Sequence, residues 1–251
     1  MNLPDVPPHY AKFSDIYRPI KKGEGPSWRV YALQKGLIAR GHILVANGVF
    51  NDTTLGGVKL FQKNNGLVVD GIVGPFTQHK LLWKVSRKLE QVKVSNGLTA
   101  PGIIYGICMR ETSGLLAPVN EYDPSEDDQG ADLGPLQWRV AGPPYSMQMM
   151  LFAFDPLKVM DAGMNNPDMG LLPRIAALRK RQPDMSGLLI LRVAIVAHNA
   201  PFLYGQYLRN GKLAAPEAIA EWTDNGSGGH FTHQEHVLDY SSDVLTFAIN
   251  H

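Results

Sequence analysis

The sequence lacks several features that would define other classes of protein. Its single cysteine, Cys108, excludes an internal disulfide, so stability does not depend on an oxidising compartment. The longest apolar run, residues 188–197, contains Arg192 and is too short to cross a bilayer. The first residues lack the apolar segment of a signal peptide. We therefore expect a soluble chain, made in the cytoplasm and not embedded in a membrane, that needs another component to pass through one.

Charge is unevenly distributed along the chain. Residues 1–93 contain 14 Lys and Arg against 6 Asp and Glu, whereas residues 94–251 contain 10 against 17. A basic first part is attracted to anionic surfaces. The basic residues are scattered and lack interleaved aromatic residues, so we expect no nucleic-acid partner. A negatively charged bacterial wall fits this distribution as well.

Proline, glycine and Asx residues divide the first part of the chain. Residues 1–26 are predicted to form an extended arm, and an amphipathic helix follows from Ser27 to near Gly41. Residues 47–54 and 70–77 then repeat at an offset of 23 residues, each placing an Asx-Gly turn before a helix start. The second of these helices is predicted to run from Pro75 to about Val94, with a hinge over residues 94–98. The predicted divisions are residues 1–26, 27–93 and 94–251.

Short motifs recur through residues 27–83. They are Leu33, Gln34, Lys35, Gly36 and Leu37; Gly48, Val49 and Phe50; Val58, Lys59, Leu60, Phe61 and Gln62; and Asp70, Gly71, Ile72, Val73, Gly74, Pro75 and Thr77. They closely resemble the peptidoglycan-binding type 1 domain, a three-helix module. The resemblance implies that a groove at the turn containing Asp70, Gly71 and Gly74 holds a wall fragment. The alternative is a helical domain without this specialisation.

One predicted helix brings a single carboxyl group to its end. Thr99 can cap this helix, and apolar residues recur on one face up to Ile107, followed on the same face by Glu111. Ser113 and Gly114 then end the helix. A carboxyl partly withdrawn from water at such a position suits a general acid. The alternative is a surface glutamate in a frayed last turn.

The rest of the chain is predicted to be helical apart from one acidic loop. That loop covers residues 115–138 and lacks the ligand spacing of a calcium site, although small hairpins fit within it. The helices are predicted over residues 144–163, 167–181, 188–197, 213–222 and 237–249, the third being apolar nearly all round and therefore central.

Four motifs follow one another along the second part. They are Arg110, Glu111 and Thr112; Gly134, Pro135, Leu136 and Gln137, preceded by the acidic segment Asp128, Gln129 and Gly130; Ala197, His198, Asn199 and Ala200; and Tyr240 with Val244 and Leu245. They resemble the signatures of lytic transglycosylases and goose-type lysozymes. The sequence departs from those families by Thr112 for Ser, by Pro201 for Gly, and by Arg139 where goose-type enzymes often carry a second acidic residue.

The second resemblance implies a role for each of these residues. Glu111 would be the general acid that cleaves the β-1,4 bond between N-acetylmuramic acid and N-acetylglucosamine, and Tyr240 would lie beside it and orient it. Asp128 would be the second carboxylate of a goose-type enzyme, although Arg139 would lower its basicity. We therefore expect a lytic transglycosylase, with a hydrolytic muramidase that uses Asp128 as the alternative. The residues implied to contact the substrate are Gly134, Gln137, His198 and Asn199.

A histidine cluster gives a competing interpretation. His230, His233 and His236 recur at every third position, which differs from the i, i+4 spacing of known zinc signatures. We therefore expect no metal and no cofactor. A zinc amidase or peptidase, or an inactive wall-binding protein, stays open as a further alternative.

The two resemblances together predict a mainly α fold, with a small three-helix wall-binding module followed by a lysozyme-like helical catalytic domain. This arrangement resembles modular bacteriophage endolysins. We expect a monomer whose partner is bacterial peptidoglycan. By the same resemblance, it would stay in the host cytoplasm until a holin pore released it to the wall.

Overall fold

The computed structural model describes residues 3, 17–95, 97–121, 131–140, 146–213, 221–223 and 230–250. The chain forms two compact units, one of residues 1–90 and 111–161, the other of residues 91–110 and 162–251. Helices predominate in the described ranges, which confirms the predicted fold class. None of the helices described is long and apolar enough to cross a membrane. The domain boundary at residues 93 and 94 and the lysozyme-like character of the second part stay predictions.

Three helices form the N-terminal module, as predicted. They are α1 (Trp28–Ala39), α2 (Asp52–Asn64) and α3 (Pro75–Ser86). The side chains of Ser27 and Asn51 cap α1 and α2 by accepting from the backbone N–H groups of Val30 and Thr54. Pro75 opens α3, where its missing N–H costs nothing.

The prediction that the third helix continues to Val94 was wrong. Helix α3 ends at Ser86, and the predicted hinge contains a hairpin of β1 (Lys93–Ser95) and β2 (Leu98–Thr99). Val92 and Val94 favour an extended backbone over a helix. Gly97, at φ 80°, supplies the left-handed conformation that the hairpin turn needs.

The arm contributes to the module from residue 20 onwards. Ile20 and Val73 form an antiparallel bridge through two backbone hydrogen bonds of 3.1 and 2.9 Å. The N–H of Gly23 donates to the carbonyl of Phe50 at 3.0 Å, and the N–H of Phe50 donates to the carbonyl of Glu24 at 2.8 Å. The arm therefore pairs with both repeated turns.

The first unit also contains a small sheet, one further helix and the first part of another. Within the predicted acidic loop, β3 (Val119–Glu121), β4 (Ala131–Leu133) and β5 (Trp138–Val140) form an antiparallel sheet in that order. Helices α5 (Met147–Ala153) and α6 (Pro156–Asn165) replace the single helix predicted over residues 144–163. The break between these two helices lies at Phe154 and Asp155, because Pro156 disfavours helical backbone in the residue before it.

Helix α1 packs on this break. The indole of Trp28 stacks on the ring of Phe154 with 5.1 Å between centroids, and both side chains are fully buried. Lys35 forms an ion pair of 2.8 Å with Asp155, whose side chain is almost entirely buried. The three-helix module therefore shares its core with the connection between α5 and α6.

The second unit centres on a buried helix. Its elements, besides the hairpin and the end of α6, are most of α4 (Ala100–Thr112), α7 (Leu171–Arg181), α8 (Gly187–Val196), α9 (Pro201–Asn210), β6 (Glu221–Thr223), β7 (His230–Thr232) and α10 (His233–Ile249). Helix α8 packs against α7, α9 and α10, which confirms the predicted central helix.

Three sequence predictions in this unit need correction or completion. Helix α9 was not predicted, and α10 begins at His233 instead of Val237. The predicted helix over residues 213–222 overlaps strand β6, so its last two residues are extended and not helical. Residues 214–220 of this predicted helix lie outside the described residues.

Candidate functional site

Helix α4, which carries the predicted catalytic carboxyl, runs through the interior. Residues 100–108 are all buried, so the helix is enclosed on every face instead of burying only the predicted stripe. Burial, with a smaller contribution from Cys108, raises the pKa of Tyr105 to about 12. Residues 100–108 of this helix are therefore shielded from solvent.

The helix ends where the sequence predicts. Ser113 and Gly114 adopt left-handed backbone conformations, with φ of 51° and 69°, and so stop the helix. Glu111 lies in this last turn and is partly exposed, while Thr112 is 7% exposed. The end of α4 therefore presents one carboxyl group that is neither fully buried nor fully solvated.

A hydrogen bond joins this helix end to the turn of residues 134–137. The hydroxyl of Thr112 donates to the carbonyl of Pro135 at 3.3 Å, in a buried position. The N–H of Gly134 donates to the carbonyl of Pro118 at 2.9 Å and holds the turn from its other side. The motif of Arg110, Glu111 and Thr112 therefore contacts the motif of residues 134–137 at Thr112, the residue next to Glu111.

The turn depends on two unusual backbone conformations. Gly134 has φ 73°, and a Cβ there would lie 2.1 Å from the carbonyl oxygen of Ala153, so only glycine fits. Gln137 adopts φ 49°, which is uncommon for a residue with a side chain. Its Nε2 donates to the carbonyl of Gly134 at 3.0 Å. These contacts make both residues part of the turn, and their substrate contacts stay predictions.

Tyr240 lies in α10 and is 2% exposed. The guanidinium of Arg110 lies 5.5 Å from the centre of its ring, and the Nε of Arg110 pairs with Asp243 at 3.1 Å. Burial lowers the pKa of Arg174, and the phenols of Tyr204 and Tyr240 offset part of that shift. Two arginines therefore act electrostatically on Tyr240, whose proposed orientation of Glu111 stays a prediction.

Helices α4 and α10 approach each other closely within the second unit. A Cβ at Gly106 would lie 2.3 Å from the carbonyl oxygen of Val244. Val244 is fully buried, and Leu245 beside it is nearly so. The predicted motif of Tyr240, Val244 and Leu245 therefore lies on a helix that packs closely against α4. This close packing is possible because Gly106 has no side chain.

His198 and Asn199 lie in the connection between α8 and α9. Their N–H groups donate to the carbonyls of Ile195 and Val196 at 3.1 and 3.0 Å. His198 is partly exposed and Asn199 is exposed. Pro201 begins α9, where proline suits a first helical position. The central helix therefore ends in two accessible polar residues, whose substrate contacts stay predictions.

Two groups of predicted residues cannot be placed. Asp128 lies outside the described residues, as do the side chains of His230, His233 and His236. Among the residues whose side chains are described, no group of three or more His, Cys, Asp or Glu residues is arranged to hold a metal ion.

Two buried glutamines organise the repeated turns of the module. The Nε2 of Gln34 donates to Asn47 Oδ1 and the Val49 carbonyl at 3.1 and 3.0 Å, and its Oε1 accepts from the Gly48 N–H at 2.8 Å. The second repeat has the same bonds. The Nε2 of Gln62 donates to Asp70 Oδ1 and the Ile72 carbonyl at 2.9 and 3.0 Å, and its Oε1 accepts from the Gly71 N–H at 2.9 Å.

The predicted wall-contact residues belong to the second of these turns. Gly71 has φ 77°, and a Cβ there would lie 2.4 Å from a methyl of Leu55. The carboxylate of Asp70 accepts from the Ile72 N–H at 2.8 Å, and this bond is the main cause of its lowered pKa. Gly74 precedes α3 in extended conformation. Asp70 and Gly71 therefore have a structural function, and their contact with the wall stays a prediction.

A cleft in the module was missed by the sequence interpretation. Its volume is about 450 Å³, and it lies between residues 40–44 and the α2 residues Thr53, Gly56, Gly57, Leu60 and Asn64. Two glycines inside a helix are unfavourable, at about 1 kcal/mol each relative to alanine. This adjacent pair was the signal in the sequence that could have indicated the cleft.

Part of the chain is similar to known proteins. Residues 28–81 match the family model described as "Putative peptidoglycan binding domain". A segment of 65 residues, 25% of this chain, is 46% identical to N-acetylmuramoyl-L-alanine amidase CwlL of Bacillus licheniformis. The match spans only 18% of that relative's length.

The similarities agree with the structure of the first helices. The chain carries an N-terminal helical module of the peptidoglycan-binding type, formed by α1, α2 and α3. The family match lies within the residues that form these helices.

Proposed function

We propose that this chain is a modular enzyme that binds peptidoglycan through its N-terminal module and cleaves the glycan strand with Glu111. The proposal rests above all on the hydrogen bond from Thr112 to the Pro135 carbonyl. That bond ties the helix end that carries Glu111 to the turn of residues 134–137, and these are the first two motifs that resemble lytic transglycosylases. The matched family and the basic charge of residues 1–93 support the wall-binding part.

The proposed reaction needs a single carboxyl group. Glu111 donates its proton to the glycosidic oxygen as the bond to muramic acid C1 breaks, because the leaving sugar cannot depart as an alkoxide. The resulting carboxylate then takes the proton from the C6 hydroxyl of the same muramoyl residue. The C6 oxygen bonds to C1, which closes a 1,6-anhydro ring without water and returns the proton to Glu111.

Hydrolysis is the first alternative and requires a second group. A goose-type reaction would use Asp128 to activate a water molecule. Arg139 stands where a further acid is common in that family, and this substitution favours the transglycosylase. The order of a binding module before a catalytic part further leads us to propose a monomeric endolysin. A holin pore would release it from the host cytoplasm to the wall.

Amide cleavage is the second candidate function. It is supported by the similarity to a protein named as an N-acetylmuramoyl-L-alanine amidase. Such an enzyme would free stem peptides and leave the glycan strand uncut. The two candidates therefore differ in the bond that is broken, and product analysis distinguishes them.

Replacing Glu111 by glutamine tests the proposed acid. The amide keeps the size of the side chain but cannot donate the proton, so clearing of isolated walls should slow by at least about two orders of magnitude. Glu90→Gln, at an exposed position, is the matched control and should retain full activity. Circular dichroism should show unchanged folding in both. Lysis by Glu111→Gln within threefold of the native rate would remove Glu111 from the mechanism.

A further inference from the structure

The cleft beside α2 is built by the loop that follows α1. Gly41, at φ 87°, lets the chain reverse after the helix, and its N–H donates to the carbonyl of Ile38 at 2.9 Å. The N–H of His42 donates to the carbonyl of Leu37 at 3.1 Å. These two bonds fix the start of residues 42–44, which form one wall of the cleft.

The two glycines on the opposite wall have different surroundings. A Cβ on Gly57 would lie 3.1 Å from a methyl of Leu44 and 3.9 Å from Nδ1 of His42, so this glycine lets the loop pack on α2. A Cβ on Gly56 would meet no atom of the described residues within 4 Å, and Gly56 is exposed. Packing within the chain therefore explains Gly57 and leaves Gly56 unexplained.

Gly56 lowers the stability of the helix relative to alanine, and no contact with another described residue requires a glycine there. Alanine would fit there without a clash and would favour the helix. Because Gly56 lines the cleft, the absence of its side chain keeps this wall of the cleft flat and open. Such a surface suits the close approach of a ligand from outside the chain.

The residues around the cleft indicate the chemistry of that ligand. Arg40 is held by a 3.1 Å hydrogen bond from Nη1 to the carbonyl of Lys84, which positions a guanidinium suited to a carboxylate. Burial, with a contribution from Arg40, lowers the pKa of His42. None of the described residues that line the cleft is Asp or Glu, so the described lining carries no negative charge that would repel an anion.

The apolar part of the lining is aliphatic. Ile43 is 98% exposed and Leu60 is 51% exposed, and no Phe, Tyr or Trp is among the described residues that line the cleft. Sugar rings are commonly bound by stacking on the faces of Phe, Tyr or Trp, none of which is among the described lining residues. The alanyl methyl groups and free carboxylates of peptidoglycan stem peptides match an aliphatic surface beside a guanidinium.

We propose that this cleft, with Gly56 as its open wall, binds the stem peptide of peptidoglycan through a free carboxylate. The inference rests on the proposed wall-binding function of the module and assigns it a site. The residues that line this site do not include those of the Asp70 turn, whose carboxylate is already bonded to Gln62 and to the Ile72 N–H.

The experiment compares stability and wall binding in the full-length chain. Gly56→Gln fills the cleft while favouring the helix, and Gly56→Ala is the smaller change. Gly205→Ala is the matched control, since Gly205 lies within α9 and a Cβ there would meet only Arg209 Nη1 at 3.4 Å. Melting temperature and cosedimentation with isolated walls on ice are measured for each. A synthetic stem tetrapeptide, its C-terminal amide and chitotetraose serve as soluble competitors.

The expected result is a pair of opposite changes. Both Gly56 variants should melt at a higher temperature than the native chain, and Gly56→Gln should bind walls at least tenfold more weakly. Gly205→Ala should raise the melting temperature without affecting binding. The tetrapeptide should displace the native chain from walls better than its amide does.

Three other results would overturn the inference in distinguishable ways. Equal wall binding by the native chain and Gly56→Gln would exclude the cleft as the binding site and leave the proposed wall-binding function of the module intact. Competition by chitotetraose and not by the tetrapeptide would replace the peptide with glycan as the ligand. Failure of the native chain itself to sediment with walls would overturn the proposed wall-binding function and this inference with it.

Discussion

Gln34 and Gln62 make matching hydrogen bonds in two successive repeats of the N-terminal module. Each Nε2 donates to an Asx side-chain oxygen and to a backbone carbonyl, and each Oε1 accepts from the N–H of a glycine with φ 77°. Both glutamines are at most 1% exposed. The module is therefore a duplicated unit in which a helix supplies a buried amide that fixes the turn following it.

Removing these amides should destabilise the two turns unequally. Gln34 also accepts from the Asn47 N–H and donates to Thr54, so it makes more bonds than Gln62. Leaving buried polar groups unpaired costs about 1–3 kcal/mol each, so Gln34→Ala should lower the free energy of unfolding by about 3 kcal/mol and Gln62→Ala by somewhat less. Hydrogen exchange of the Gly48 and Gly71 amides measures the effect locally.

The control for these variants is Lys63→Ala, at an exposed position on the same helix as Gln62. It should leave exchange at both glycines unchanged. Native-like protection of Gly48 in Gln34→Ala would show that the amide does not hold the turn.

Asp70→Asn should remove part of the acid sensitivity of the module. The pKa of Asp70 is held below its usual 3.8, first by the hydrogen bond from the Ile72 N–H. A lowered folded-state pKa contributes stability above pH 3.8 that is lost as the pH falls through the folded-state value. Asparagine preserves the bonds, as Asn47 does in the first repeat, but does not titrate.

Melting temperatures measured between about pH 6 and pH 2.5 test this prediction. The native chain and Asp70→Asn should agree near neutrality, and the native chain should lose more stability below about pH 4. The difference should be small because Asp70 is exposed. If the melting temperatures of the two chains fell in parallel over the whole pH range, Asp70 would not contribute to the acid sensitivity of the module.

Thr112→Val should slow wall lysis while leaving the fold intact. Valine has nearly the shape of threonine but cannot donate to the Pro135 carbonyl. The turn of residues 134–137 would then lose its tie to the end of α4. Because small displacements at a reacting site have large kinetic effects, we expect a loss of about tenfold or more.

Thr112→Ser is the matched control, since serine keeps the hydroxyl and is the residue that the resembled families carry. It should lyse walls within about threefold of the native rate. If Thr112→Val were as active as Thr112→Ser, the bond would have no function in positioning Glu111.

Treatment with EDTA should leave lysis unchanged, because the proposed reaction uses a carboxylic acid and no metal. Turbidity loss of isolated walls after prolonged chelation and desalting is the measurement. Loss of activity that added zinc restores would favour the amidase and give the histidines His230, His233 and His236 a function.

Local patterns in the sequence predicted the module well. Ser27, where a helix was predicted to begin, caps α1 through a hydrogen bond to a residue three positions away, and Ser113 and Gly114 end a helix by their own backbone conformation. The duplicated turns were also visible from the Asx-Gly pairs. Such features depend on neighbouring residues, so a single sequence contains the information needed to predict them.

Features that depend on distant partners were not predictable in this way. The three-residue strands within residues 119–140 are too short to show alternation and exist through pairing. The pairing of Ile20 with Val73 and the bond from Thr112 to Pro135 join segments that no local pattern connects. The packing of Trp28 on Phe154 likewise brought residues 146–161 into the first unit.

This shared core affects how the chain should be tested. Deleting residues 1–93 would expose Phe154 and leave the buried carboxylate of Asp155 without Lys35. Loss of activity in such a truncated chain would then reflect misfolding. Point variants in the full-length chain avoid this ambiguity.

Mass spectrometry of digested walls shows whether Glu111 cleaves the glycan strand by forming an anhydro ring. Isolated walls are incubated with the native chain, and the soluble products are separated and weighed. We expect muropeptides that end in 1,6-anhydro-muramic acid and that are absent from a Glu111→Gln digest. Reducing ends heavier by one water, lost in Asp128→Asn, would instead show a hydrolytic muramidase. Free stem peptides with intact glycan strands would show an amidase and contradict this mechanism.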